Sequence, residues 1–345
     1  MTTRSKENTA ALERLLSESY GLSGNLERLL GERDRNYRLS VDGGERYVVK
    51  VVDPDESEAV SDFQIQALLH MQEKACPLLL PGIVALKSGE YSAMLDENGN
   101  CHIVRVVTYL PGTPMTEIDP DERLARELGA ALAKVDLALA DFEHNCERRD
   151  LVWDMQNAGR LRERIEQIPG ERVRNRVRTC LDDFKHRVEP RFGSLRTQVI
   201  HSDLNPANVL VGGRPAGVVG IIDFSDMVRA PLIIDVAIGA SYLRSESSDA
   251  LELIAPFVAG FNDVTPLQRE ELGLLYDLVR TRLATTITMK YWRASVVSGD
   301  DTYLQQAMQE ESGAESFLAR LDAMSGQQFG ERIHTACGRR DERKN

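Results

Sequence analysis

The stretch that most restricts what this chain can fold into is His201-Ser202-Asp203-Leu204-Asn205-Pro206-Ala207-Asn208, followed further on by Asp223. Between them, Val209-Leu210-Val211 and Val218-Val219-Gly220-Ile221-Ile222 read as two apolar strands. The intervening Gly212-Gly213-Arg214-Pro215-Ala216-Gly217 reads as a turn-rich connection. A hairpin of this size returns the chain to its start. Asp203 and Asn208 lie just before one strand and Asp223 just after its partner, so the three are expected to meet at one end of the pair.

Such a trio suits phosphoryl transfer from a nucleotide. One carboxylate accepts the proton of an acceptor hydroxyl, while an amide oxygen and a second carboxylate hold Mg²⁺ on the phosphates. The spacing H-x-D-x-x-x-x-N agrees with a kinase catalytic loop in its His, Asp and Asn, with Ser202 where Arg is usual. Asp223-Phe224-Ser225 fills the metal-binding Asp-Phe-Gly slot, with Ser in place of Gly. The competing reading of either motif alone is a polar loop beside an ordinary hairpin. Two motifs in order at this distance favour the kinase.

At 345 residues the chain can bury a substantial core, as one large domain or as two lobes. A net charge of −12 argues against nucleic acid or an anionic membrane held by bulk electrostatics, and it is compatible with a cationic substrate. The five cysteines are scattered and lack C-x-x-C spacing, so reduced thiols are expected, not zinc or disulfides. Residues 1–8 lack the apolar segment of a signal peptide, and no apolar run approaches ~20 residues. The expectation is a cytoplasmic protein without membrane or nucleic-acid partners. The sequence leaves the oligomeric state open.

Taken in order, residues 7–20 carry helical spacing. Leu39-Ser40-Val41, a turn at Asp42-Gly43-Gly44, and Tyr47 to Val52 then form a hairpin that places Val48, Lys50 and Val52 on one face. A lone strand lysine is commonly a solvated residue. Here Lys50 precedes a helix and follows a turn, the setting of a phosphate-pairing lysine. The turn from Gly31 through Asn36 and Tyr37 would cover the phosphates, although it is not a G-x-G-x-x-G loop, and no Walker A sequence occurs. Pro54 and Ser57 open a helix on which Glu58 and Asp62 share a face; either could pair with Lys50, and the longer Glu58 is favoured. Asp96-Glu97-Asn98-Gly99 marks a hairpin tip. Ile103 to Leu110 is an apolar strand ended by Pro111-Gly112-Thr113-Pro114, a natural hinge at which the backbone of Thr108, Tyr109 and Leu110 would meet the nucleotide base. From Asp121 the pattern turns helical, with further helices expected at 157–167, 171–188, 233–244, 249–262 and 267–292. The reading is α+β, with a β-rich lobe at 1–110, a mainly helical lobe at 111–330 and a frayed tail at 331–345.

These matches, Asn36-Tyr37, Tyr47-Val48-Val49-Lys50, Tyr109-Leu110-Pro111-Gly112, His201 to Asn208 and Ile222-Asp223-Phe224, resemble the aminoglycoside phosphotransferase-like kinases. Leu151-Val152-Trp153-Asp154, Asp223 to Met227 and Pro231 to Ala237 look more particularly like the hydroxylysine-kinase branch. The resemblance implies a protein-kinase-like two-lobed fold and phosphorylation of a small hydroxylated amine or amino acid, with ATP or GTP as donor and Mg²⁺. It makes Asp203 the base, Asn208 and Asp223 the metal ligands, and Lys50 the α/β-phosphate contact. Asp235 would accept hydrogen bonds from the catalytic-loop backbone, with His201 a structural part of that loop. Asp226 is either a second carboxylate near metal or substrate, or a loop-capping acid. A hydroxy-amino acid acceptor needs a buried Arg for its carboxylate. Arg282, in an otherwise small and apolar stretch, is the candidate, the alternative being an Arg that snorkels to the surface. The rivals are aminoglycoside, homoserine and choline or ethanolamine kinases, and, from another class, a nucleotide-binding pseudokinase.

Overall fold

The computed structural model describes residues 9–31, 33–97, 99–245, 247–296 and 313–338. The chain divides into two compact units. Residues up to Ala75 with Leu80–Pro111 form the first, and Cys76–Leu79 with the chain from Gly112 onward form the second.

The first unit is built on a five-stranded antiparallel sheet in the order β1-β2-β3-β5-β4: β1 Gly24–Arg28, β2 Arg35–Val41, β3 Arg46–Val51, β4 Ala93–Glu97 and β5 Asn100–Thr108. The expected hairpin is β2–β3, and the Asp96 tip joins β4 to β5. Its Asn98 lies outside the described residues. Strand alternation splits the sheet cleanly. Tyr37, Leu39, Val49, Val51, Leu95, Val104 and Val106 form one apolar face. It is covered by α1 (Ala10–Leu15) and the turn Leu16–Tyr20, through Leu12, Leu16 and Tyr20. Tyr20 ends that helix and satisfies its hydroxyl on the Val104 carbonyl at 2.9 Å. The opposite face carries Asn36, Lys50 and Arg105, which are register partners across β2, β3 and β5. Arg105 reaches α2 (Glu58–Glu73), whose Ser57 caps the Val60 N–H.

The second unit is mainly helical: α3 Glu122–Leu139, α4 Glu171–Asp183, α5 Ile233–Tyr242, α6 Ile254–Val264, α7 Arg269–Val296, α8 Ala314–Leu321 and α9 Gly326–Gly338. Short strands accompany them, β6 Thr113–Pro114, β7 Thr197–Ile200, β8 Val209–Gly212, β9 Gly217–Ile221 and β10 Val228–Pro231, paired as β6-β8-β9 and β7-β10. Asp121 starts α3 by accepting the Leu124 N–H at 2.7 Å. Its apolar stripe, Leu124, Leu128, Leu132, Val135 and Leu139, is buried as expected.

Helices α3 and α6 touch backbone to backbone. A Cβ on Gly129 would lie 1.9 Å from the Phe257 carbonyl oxygen, and one on Gly260 would lie 1.9 Å from that of Arg126. No rotamer change relieves a clash with backbone, so Gly260→Ala is expected to destabilise the protein by at least about 2 kcal/mol. Thermal melting should then fall by about 4 °C or more.

Three stretches differ from the sequence expectation. Residues 155–167 form successive 3₁₀ turns, because the buried Met155, Ala158 and Leu161 recur every three residues. The expected frayed tail at 331–345 is helical through Gly338, anchored by buried Phe329 and Ile333; residues 339–345 lie outside the described residues. The expected helix at 249–262 begins at Ile254, after a turn. All five cysteines are free thiols, and among the described residues no helix is long and apolar enough to cross a membrane.

Candidate active site

The loop after β7 is fixed from beneath. Asp235, fully buried on α5, accepts the His201 N–H at 2.9 Å and the Ser202 N–H at 2.8 Å. These bonds hold Ser202 in the left-handed region, at φ 65°, a conformation that costs energy for a residue with a Cβ. The His201 ring accepts the Asp203 N–H on Nδ1 and meets the Ile222 carbonyl with Nε2, at 3.2 and 3.1 Å. That pairing sets the neutral Nε2–H tautomer. The ring packs edge-on to Phe224, with centroids 4.7 Å apart. His201 and Asp235 are thus structural parts of the loop.

Asp203 is held by amides. Asn205 Nδ2 donates to its Oδ2 at 3.0 Å, and Asn208 Nδ2 donates to the same oxygen at 2.7 Å and to the Asp203 carbonyl at 2.9 Å. Asn205 Oδ1 in turn accepts the N–H groups of Ala207 and Asn208. Oδ1 of Asp203 is left for chemistry. Burial first, then the neighbouring Asp226 carboxylate, push the Asp203 carboxyl above the usual range against the pull of Arg282.

The β8–β9 hairpin closes as the sequence suggests. The Ile222 N–H donates to the Asn208 carbonyl at 2.9 Å, which brings Asp223 to the Asn208 end of the loop. Asp223 is also left-handed, at φ 62°, and its Oδ1 accepts the Ser225 hydroxyl at 2.7 Å. Ser225 therefore braces the carboxylate in the slot where glycine is usual. Arg149, which the sequence reading missed, clamps this turn by donating to the Ser225 and Met227 carbonyls.

The donor set fits a hard divalent cation. The Asn208 amide nitrogen is spent on Asp203, which directs its carbonyl oxygen away, and Asp223 offers a carboxylate. One amide oxygen and one carboxylate suit a Mg²⁺ that fills its remaining positions with water and phosphate oxygens.

Arg282 does not snorkel. It is 2% exposed, with Nη2 3.8 Å from Asp203 Oδ1 and 3.1 Å from the Tyr242 hydroxyl, and its guanidinium stacks 4.9 Å from the Trp153 ring centroid. The Asp226 charge acts on both Asp203 and Arg282, which places it within this group.

In the first unit Lys50 lies on the charged face, in line with Asn36 and Arg105. Other expectations need correction. Tyr37 is 3% exposed within the apolar core, so its ring is a packing element on the face opposite Lys50. Glu58 is the first residue of α2 and points to solvent, beside a surface hollow it lines with Asp62, Leu15 and Glu90. A carboxylate at a helix start stabilises the dipole there. The acid that turns inward is Glu56, one residue before the cap. It sits 3.9 Å from Arg105, which Asp34 approaches at the same distance from elsewhere in the unit. Arg105 itself was legible as one charged residue inside an apolar strand, in step with Lys50. At the strand end, the N–H groups of Thr108 and Tyr109 are spent on the Gly82 and Arg46 carbonyls.

Comparison with known proteins gives the family. The model of the phosphotransferase enzyme family, APH, matches residues 26–268. Hydroxylysine kinase of Danio rerio is 28% identical over 303 residues, covering 83% of this chain and 84% of the relative. Homoserine kinase of Hyphomonas neptunium is 27% identical over 273 residues, covering 74% and 76%. Among solved structures, a microcompartment-associated aminopropanol kinase superposes with a TM-score of 0.70 at 17% identity, covering 94% of this chain and 99% of that one. The chain thus belongs to the phosphotransferase enzyme family and is a small-molecule kinase of two-lobed α+β fold that phosphorylates a hydroxyl group.

Proposed function

We propose that this kinase transfers the γ-phosphoryl group of ATP or GTP to the hydroxyl of a hydroxy-amino acid, with 5-hydroxylysine the first acceptor to test. The observation that carries this reading is the Asp226 carboxylate acting beside Asp203, a partner for an acceptor ammonium next to the base, with Arg282 holding that base from the other side. The similarity to hydroxylysine kinase supports the same acceptor.

In this reading Asp203 Oδ1 takes the hydroxyl proton, with Oδ2 fixed by Asn205 and Asn208 so that the carboxylate cannot rotate away. Asn208 and Asp223 would hold Mg²⁺, which neutralises phosphate charge when bound. Lys50 would contact the α- and β-phosphates, and the Leu110 N–H would meet the base. Catalysis is then mainly positioning and electrostatics.

The base must be ionised to accept a proton, and its carboxyl lies above the usual range. The sign follows directly: kcat/KM should fall as pH drops through that raised value, at a higher pH than an ordinary aspartate would give. The panel of acceptors is 5-hydroxylysine, homoserine, ethanolamine, choline and kanamycin, each with ATP and with GTP. Transfer to homoserine alone, or to kanamycin alone, moves the acceptor class. Nucleotide binding without transfer to any of them counts against the proposed acceptor.

A further inference from the structure

We propose that Asp136 keeps its carboxyl proton in the folded enzyme and donates it to Asp235, making Asp136 a positioning residue that acts on the catalytic loop through Asp235. This concerns the loop and is independent of which acceptor the enzyme uses.

Both side chains are 0% exposed, one on α3 and the other on α5. Each oxygen of Asp235 accepts a backbone N–H, from Ser202 on Oδ1 and from His201 on Oδ2. Those donors cannot reverse, and they favour Asp235 as the ionised member, since the charged form accepts them best. Asp136 stands against it, and among the described residues neither of its oxygens accepts a hydrogen bond. The polar neighbours are already spent. The Gln198 side-chain amide donates to the Asp136 backbone carbonyl at 2.6 Å. Arg196, the nearby cation, is held by the buried Glu271 at 2.6 and 2.9 Å and reaches Asp136 only through its charge. His201, the remaining ionisable group beside Asp235, is engaged by the Asp203 N–H and the Ile222 carbonyl.

Two fully buried carboxyl groups placed to share a hydrogen bond, one of them with no other partner, do not both stay charged, so one proton is retained. Burial, then the Asp235 charge, push the Asp136 carboxyl well above the usual range. The retained proton does two things. It gives Asp235 a third donor, and it lets Asp235 stay an acceptor for the two N–H groups that hold Ser202 in its left-handed conformation.

The test compares wild type, Asp136→Asn and Asp136→Ala. Unfolding exposes Asp136 to water, where it ionises with a pKa of about 3.9. Wild type therefore releases one proton on unfolding, and its folding constant should fall about tenfold per pH unit relative to Asp136→Asn. Denaturation of both proteins from about pH 5.5 to about pH 7.5, a range above that value, reads this ratio and needs no acceptor. In transfer to 5-hydroxylysine, Asp136→Asn supplies an amide N–H in place of the acid proton and should keep kcat within about threefold. Asp136→Ala should lose at least about tenfold in kcat, the loss of one donor, with the nucleotide KM little changed. A stability ratio that is flat with pH overturns the proposal. So does an Asp136→Asn protein that fails to fold or loses as much kcat as Asp136→Ala. Absence of wild-type transfer to 5-hydroxylysine would count against the acceptor alone, since the pH-dependent ratio stands without it.

Discussion

Asp203→Asn is expected to reduce phosphoryl transfer by about 10²- to 10⁴-fold, the range for removing a positioned general base. The loop itself should survive. Oδ2 of Asp203 accepts from both Asn205 and Asn208, so an asparagine there settles with its carbonyl oxygen on that side. Its NH₂ group then occupies the Oδ1 position, beside Arg282 and the incoming hydroxyl. A donor replaces the acceptor at the one oxygen left for chemistry, while the hydrogen bonds that order the loop remain. The Asp235 anchor on His201 and Ser202 is also untouched. Nucleotide affinity, measured by calorimetry or by displacement of a fluorescent nucleotide, should stay within a few-fold of wild type. Retained turnover in Asp203→Asn would remove Asp203 as the base. Loss of nucleotide affinity in parallel would mean that the loop had not kept its shape.

The local motifs were legible because their information is local. His201 to Asn208 and Asp223 are brought together by a hairpin whose strands and turn are written in adjacent residues, and α3 advertises its buried face by period. The strand position of Lys50 was legible for the same reason. What failed was the direction of side chains at element boundaries. Glu58 and Glu56 flank the Ser57 cap, and only the exact start of α2 decides which one turns inward. Tyr37 changes face if β2 begins one residue earlier or later, because strand period is two. Arg149 and Asp136 were missed for a different reason. Their partners, the carbonyls after Asp223 and the Asp235 carboxylate, lie 76 and 99 residues away in sequence. No spacing rule reaches that far. The 3₁₀ segment at 155–167 shows a third limit: its period of three was present in Met155, Ala158 and Leu161, but resembles an α-helical pattern when read loosely.

Arg282→Met should be nearly as damaging as loss of the base, and the kinetic constant it changes decides between two roles. If the guanidinium serves only to bind the acceptor's carboxylate, its loss raises the KM for 5-hydroxylysine and spares kcat. The geometry favours the other outcome. Nη2 donates to Tyr242 and faces Asp203 Oδ1 at 3.8 Å, too long for a hydrogen bond but close for two charges, the guanidinium being buried. The guanidinium is therefore held by the protein next to the base, and it favours the ionised carboxylate. Removing it takes away the positive charge that offsets the effect of Asp226 on Asp203, so the base is protonated more readily. We expect kcat to fall about 100-fold or more, equivalent to about 2.7 kcal/mol of barrier, and the acid limb of the pH–rate profile to move to higher pH. Arg282→Lys should recover part of the loss, because the charge returns without the planar fork that stacks on Trp153 and bonds Tyr242. An effect confined to the acceptor KM, with kcat and pH profile intact, would assign Arg282 to the substrate carboxylate instead.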